Sequence, residues 1–307
     1  MEKINSAIIT GATGMIGRAL VSLCESRGIK TAAVIRPGSR RAAGLRESEY
    51  LRLIECDAAG YESLVSEEGY DAFFHLAWAK TTGAGRDDAA LQCRNIEYTL
   101  DAVRAAERCG CRVFIGAGSQ AEYGNTDRPL NSSTPCDPSS GYGIAKYAAG
   151  KLSRLACSQA GIRHCWMRIL SVYGEYDHKN SLVMYCLENM LENRPVELTP
   201  CGQTWDYIYC RDAARALLCA AESGRDGAAY CVGSGECRVL SEYVEDIAAI
   251  TGSGSPIIYG ARKYYPGQAM YLCADISELT ADTGFVPETS FEKGIRNTIQ
   301  WLTSSEN

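Results

Sequence analysis

Short apolar runs separated by stretches with helical spacing organise the first half of the chain. Ser6–Thr10, Thr31–Ile35, Leu51–Glu55, Ala72–Trp78 and Arg112–Ala117 are runs of this kind, the pattern expected of strands buried on both faces. Between them, Met15–Arg27 and Asp88–Arg108 repeat apolar residues every three to four positions and predict helices. A further helix is predicted over Ser139–Gln159 and a sixth strand over Arg163–Ile169. Such alternation predicts an α/β fold, a doubly wound parallel sheet with helices on both faces.

After Gly174 the spacing loosens. Helical patterns appear near Leu182–Glu192, Asp212–Glu222, Leu240–Ile250 and Phe291–Leu302, with short strand candidates between them. No internal repeat or clean linker separates the halves. The reading is a large lobe over 1–174 and a smaller α/β lobe over 175–307, partly interleaved with the first, with a cleft between them.

Composition narrows the partners. With 307 residues, 46% hydrophobic and 22% charged, the chain has the make-up of a globular protein. A formal charge of -6 offers no general attraction to nucleic acid or anionic lipid. No apolar run is long enough to span a bilayer, and Met1–Ser6 runs into a strand pattern without a leader profile. The default expectation is therefore a cytoplasmic protein. The 15 cysteines are dispersed and form no C-x-x-C pair, and the three histidines are far apart in sequence. Free thiols in a reducing compartment are expected, with no metal site.

Thr10-Gly11-Ala12-Thr13-Gly14-Met15-Ile16-Gly17 lies between the first strand and the first helix. In that setting Gly11 suits a tight turn, Gly14 a close approach to a pyrophosphate, and Gly17 close helix–sheet packing. The first lobe therefore reads as a dinucleotide-binding Rossmann domain. The residue ending the second strand separates NAD from NADP, because an acidic group there binds the ribose 2′-hydroxyl and repels a 2′-phosphate. Arg36 stands at that place, followed by Ser39, Arg40 and Arg41. A guanidinium pairs with phosphate in bidentate fashion, so NADP is preferred over NAD.

Tyr142 and Lys146 are spaced i, i+4 near the start of a predicted helix, which puts phenol and ammonium on one face. A free phenol, with a pKa of about 10, is a poor base at neutral pH. A neighbouring cation favours the phenolate, letting Tyr142 exchange a proton with a substrate oxygen. Gly116-Ala117-Gly118-Ser119 follows the fifth strand, where Ser119 would bond the same oxygen.

These motifs make the chain similar to the extended short-chain dehydrogenase/reductase family, also called the NAD-dependent epimerase/dehydratase family. The resemblance runs through Thr10–Gly17, Asp57-Ala58, His75-Leu76-Ala77, Asn95, Ser119 with Tyr123-Gly124, Tyr142–Lys146 and Arg168 to Gly174. It continues through Asp206–Tyr209 with Asp212, Ala274-Asp275 and Gly284–Pro287. It implies a cofactor path along Gly11, Thr13, Gly14, Met15, Ile16, Gly17 and Arg36, with Asp57 and Ala58 at the adenine. Leu76, Ala77, Trp78 and Asn95 would line the same path, and Lys146 would hold the nicotinamide ribose beside catalytic Ser119 and Tyr142. It further implies a nucleotide-sugar substrate held between the lobes, and a homodimer formed through two helices per subunit.

Departures from the family pattern narrow the chemistry. Members that eliminate water carry an Asp-Glu pair directly after the catalytic Ser or Thr, where this chain has Gln120 and Ala121. The 3,5-epimerase/reductases place a cysteine at Ala121. Simple hydride transfer at one carbon remains. Arg36 points to NADPH-dependent reduction of a 4-keto-6-deoxy nucleotide sugar, with an NAD-retaining nucleotide-sugar 4-epimerase as the alternative. A non-catalytic NADP-binding regulator is a third reading, disfavoured because such proteins commonly lose the Tyr or the Lys.

Substrate contacts are expected from Gln120, Glu122, Ser171, Asn180, Gln203, Trp205 and Tyr265. Many relatives clamp the diphosphate with arginines where Trp205 and Tyr265 stand, and Gln268 replaces an acid. Either these two residues pack while Arg211, Arg262 or Lys263 supplies the charge, or they form an aromatic shelf. Glu122 would read a sugar hydroxyl or cap a turn.

Overall fold

A computed structural model describes residues 3–65 and 69–304. Met1 and Glu2, which open the segment read as lacking a leader, lie outside them. Six strands lie before residue 170: β1 (Ser6–Thr10), β2 (Lys30–Ile35), β3 (Leu51–Glu55), β4 (Ala72–His75), β5 (Val113–Ser119) and β6 (Arg163–Ile169). Eight more follow: β7 (Ser171–Tyr173), β8 (Val196–Glu197), β9 (Thr204–Trp205), β10 (Tyr207–Tyr209), β11 (Ala228–Val232), β12 (Arg238–Val239), β13 (Ile257–Ile258) and β14 (Tyr271–Leu272). The α-helices are α1 (Met15–Ser26), α2 (Ala89–Arg108), α3 (Gly141–Ala160), α4 (Leu182–Leu191), α5 (Cys210–Ser223), α6 (Leu240–Thr251), α7 (Ser277–Thr283) and α8 (Phe291–Thr303).

The main sheet has seven strands in the order β11-β6-β5-β4-β1-β2-β3, every pair parallel. The order reverses between β1 and β4, so their C-terminal ends open a crevice of the kind that receives a nucleotide in doubly wound sheets. β4 and β5 are buried at every residue, which explains their lack of polar alternation. One core packs α1 and α5 on one face, through Leu20, Val21, Ala213 and Leu217. Another packs α2 and α3 on the opposite face, through Ala102, Val103, Ala106 and Cys157.

The remaining short strands form three small sheets, β10-β7, β12-β9-β14 and β13-β8. They surround a third core built from α4, α6 and α8, with Met184, Leu187, Val244 and Ile295 at its centre. The main sheet nevertheless takes β11 from beyond residue 174. Among the described residues no helix is long and apolar enough to cross a membrane, and no cluster of ligating side chains could hold a metal.

Two strand ends differ from the sequence reading. β4 stops at His75, because Leu76–Trp78 leave the sheet to pass against Gly11. β5 runs on to Ser119 through Gly116 and Gly118, whose missing side chains make room for the Trp166 indole. The expectation of free thiols throughout is also corrected. Cys237 and Cys273 are joined as a disulfide with Cα atoms 5.7 Å apart, since β12 and β14 both pair with β9 and bring distant segments together.

Candidate active site

The glycine turn forms at the C-terminal end of β1. Gly11 adopts φ 71°, and a Cβ there would lie 2.7 Å from the Ala77 amide nitrogen. At Gly17 a Cβ would come within 2.2 Å of the Gly11 carbonyl oxygen. Only glycine lets turn, helix and Leu76-Ala77 pass this closely. Around Gly14 the space is open apart from the Gly11 carbonyl at 3.4 Å.

Gly14 is the N-cap of α1, and no side chain caps it. Helices α5, α6 and α7 likewise lack a side-chain cap, whereas Asp88, Ser140, Ser181 and Ser290 cap α2, α3, α4 and α8. The first-turn amides of α1 are left for an anion, which the helix dipole favours. The residues therefore fit a pyrophosphate. Thr13, Met15 and Ile16 are half-buried beside the turn. Arg36 leaves the end of β2 exposed, and with Ser39, Arg40 and Arg41 it lines one open depression. Asp57 is exposed and accepts from the Gly60 amide at 3.0 Å, capping a short helical turn that begins at Ala58.

At the other end of the crevice, the last residue of β5 meets the first turn of α3. Ser140 caps α3 and accepts from the Gly143 amide at 3.1 Å. This start directs Tyr142 and Lys146 inward, and both are buried. Burial pushes the Tyr142 phenol up, opposed by a hydrogen bond with Ser119 and by the Arg86 charge. Lys146 Nζ donates to the Ala117 carbonyl at 2.6 Å and lies 3.8 Å above the Trp78 ring. Burial brings its ammonium down to about 7, with the Glu122 charge opposing the shift. Ser119, Tyr142 and Lys146, from two separate elements, thus share one site, which Trp78 connects to the segment packed against the glycine turn. A hydroxyl, a phenol and a cation so placed can exchange a proton with a bound oxygen.

A model of the NAD dependent epimerase/dehydratase family matches residues 7–233. The chain belongs to this family. It is 28% identical over 317 residues to a dTDP-glucose 4,6-dehydratase of Mycolicibacterium smegmatis, covering 98% of this chain and 94% of that protein. Against a dTDP-4-dehydro-6-deoxyglucose reductase of Escherichia coli it is 24% identical over 316 residues, covering 96% and 97%. A solved UDP-N-acetylglucosamine 4-epimerase from Methanobrevibacter ruminantium M1, in complex with UDP-N-acetylmuramic acid, shares the fold. Its TM-score is 0.87 at 24% identity, over 98% of this chain and 99% of that one. As a family member the chain is an enzyme of the short-chain dehydrogenase/reductase type, from a family that is NAD-dependent.

For an epimerase/dehydratase-family site, the turn after Ser119 is informative. Gln120 is half-buried and Ala121 is buried. Glu122 is fully buried and engaged through both oxygens. Its Oε1 accepts from the Ser119 amide at 2.8 Å and from Trp166 Nε1 at 2.9 Å, while Oε2 accepts from Arg168 Nε at 2.8 Å. Of its two expected roles it takes the second, capping the turn that carries Ser119 rather than facing a substrate, and it also neutralises a buried arginine. Asn95 is buried, and its amide exchanges hydrogen bonds with the Ala79 backbone at 3.0 and 3.1 Å, so it holds the loop that follows Leu76–Trp78.

The substrate-side residues divide. Trp205 Nε1 donates to Ser171 Oγ at 2.8 Å, so these two half-buried residues form one surface. Gln203 is buried and accepts from Tyr264 Oη at 3.3 Å. Tyr265, expected in the cleft, is 63% exposed, and its neighbour Tyr264 is the tyrosine that folds back toward Gln203. Asn180 is exposed, just ahead of the Ser181 cap of α4. Of the cations considered for the phosphates, Arg211 pairs with Glu175 at 2.8 Å, and Arg262 stacks on the Tyr185 ring at 4.8 Å.

Sequence reading missed two residues here. Trp166 fills the space left by Gly116, Gly118 and Gly150 and links β6 to Glu122. Arg86 lies with its guanidinium 4.7 Å from the centre of the Tyr142 ring. Neither contact has a local pattern, although the glycines facing one another across β5 and α3 would have hinted at a large inserted ring.

Proposed function

We propose that the chain is an NADPH-dependent reductase of a nucleotide-linked 4-keto-6-deoxy sugar. The observation that carries this reading is the Ser119–Tyr142–Lys146 site followed by a turn, Gln120 to Glu122, that offers no free carboxylate. Gln120 and Ala121 cannot shuttle the proton that elimination of water demands, and Glu122 is locked by Arg168. Reduction needs only a hydride and a proton. A bound dinucleotide supplies the hydride. Tyr142 gives its proton to the carbonyl oxygen as it becomes a hydroxyl, and the Ser119 hydroxyl holds that oxygen. Lys146 favours the phenolate left behind. The Escherichia coli reductase among the relatives supports this reaction class.

A 4-epimerase would use the same three residues, so the cofactor decides between the two readings. A reductase must release and rebind its dinucleotide, and Arg36, Arg40 and Arg41 present three guanidinium groups where a 2′-phosphate would be read. Arg36→Ala is expected to raise the Kd for NADPH about tenfold or more while changing the Kd for NADH little. Titration calorimetry with both cofactors checks this, and an equal loss for both would remove the argument for NADP. The reaction itself is tested by NADPH consumption on a panel of nucleotide-linked 4-keto-6-deoxy sugars. Conversion of a nucleotide sugar to its 4-epimer with no added cofactor would favour the epimerase.

A further inference from the structure

We propose that Arg86 is a positioning residue that sets the ionisation of Tyr142, acting as a permanent cation fixed over the phenol ring. This rests on Tyr142 being the proton-exchanging group. Arg86 lies in the loop between β4 and α2, at the end of the short turn Ala84–Arg86. Its Cζ sits 4.7 Å from the Tyr142 ring centre, within the range where a cation is attracted by an aromatic face. Ionising the ring adds full charge attraction to that contact, so the cation favours the phenolate.

The loop is built to hold this position. Gln92 Nε2 donates to the Gly85 carbonyl at 2.8 Å and to the Lys80 carbonyl at 3.2 Å. Arg86 NH1 donates to the Thr81 carbonyl at 3.1 Å. Asp87 Oδ1 accepts from the Gly141 amide at 2.9 Å, one residue before Tyr142. At Gly141 a Cβ would lie 3.2 Å from the Arg86 carbonyl oxygen, so loop and helix start are in close contact.

Charged groups face Tyr142 from each neighbouring element. From its own helix comes Lys146, with Nζ 5.8 Å from the ring centre. From the loop come Arg86 and Asp87, the latter bound to the Gly141 amide. Glu122, from the turn after β5, opposes ionisation, but Arg168 pairs with it at 2.8 Å. Burial brings the Lys146 ammonium down to about 7, whereas a guanidinium keeps its charge throughout the working range. Arg86 is therefore the cation on which Tyr142 depends as pH rises past neutrality.

The test is a carbon-13 NMR titration of the full chain carrying label at tyrosine Cζ. It is run with saturating NADP+ or NAD+, whichever binds more tightly, and Tyr142→Phe identifies the resonance. The Tyr142 midpoint is expected to rise by about one pH unit in Arg86→Met and to return at least halfway in Arg86→Lys. Arg86→Gln gives the same neutral substitution with a polar side chain, should the methionine disturb the loop. An unchanged midpoint in the neutral variants overturns the proposal, as does a wild-type Tyr142 that stays protonated to pH 11. Failure of the underlying reading looks different: Tyr142→Phe would then reduce keto sugars as fast as wild type.

Discussion

Tyr142→Phe is expected to lower turnover of a keto nucleotide sugar by about 10²–10⁴-fold while leaving the Kd for cofactor within about twofold. The variant removes one oxygen from a buried ring and keeps the packing against Trp78, whose ring centre lies 6.0 Å away in an edge-on arrangement. The Ser119 hydroxyl stays in place, because its Oγ also accepts from the Ala121 amide at 3.2 Å. What disappears is the proton that the reduced oxygen must receive. Steady-state rates with cofactor titrations separate the two effects. A variant that keeps wild-type turnover would place the proton donor elsewhere.

Glu122→Ala is expected to destabilise the fold by about 3–5 kcal/mol, the range for breaking one half of a buried ion pair. Three donors lose their acceptor at once: the Ser119 amide, Trp166 Nε1 and Arg168 Nε. Arg168 retains Tyr123 Oη at 2.9 Å, a neutral partner that does not compensate a buried charge. The midpoint of urea unfolding reads the loss directly. Glu122→Gln keeps the shape and some acceptor capacity and should cost less. A shift below about 1 kcal/mol in the alanine variant would mean that the charge of Arg168 is compensated elsewhere.

The layered fold was legible because buried parallel strands and amphipathic helices each carry a local period. The turn Thr10–Gly17 was equally legible, since steric need for glycine at φ 71° and beneath a packed helix leaves a mark in sequence. Tyr142 and Lys146 could be paired because a helix places i and i+4 on one face. The failures share one cause. Glu122 meets Arg168 across 46 positions, and Cys237 meets Cys273 across 36, contacts made by tertiary packing alone. Glu122 could be read as a substrate contact or a turn cap, because a carboxylate three residues after Ser119 looks free until its partner from the next strand is seen. Arg86 reaches Tyr142 from a loop with no periodic pattern, and only the bond from the Gly141 amide to Asp87 reveals the docking.

Following deuterium from NADPH labelled at the nicotinamide C4 position tests the central claim most directly. Wild-type protein and a nucleotide-linked 4-keto-6-deoxy sugar should give a product with one deuterium on the former carbonyl carbon. One cofactor should be oxidised per sugar reduced. A sugar product that forms without label and without net oxidation of added cofactor would contradict the account.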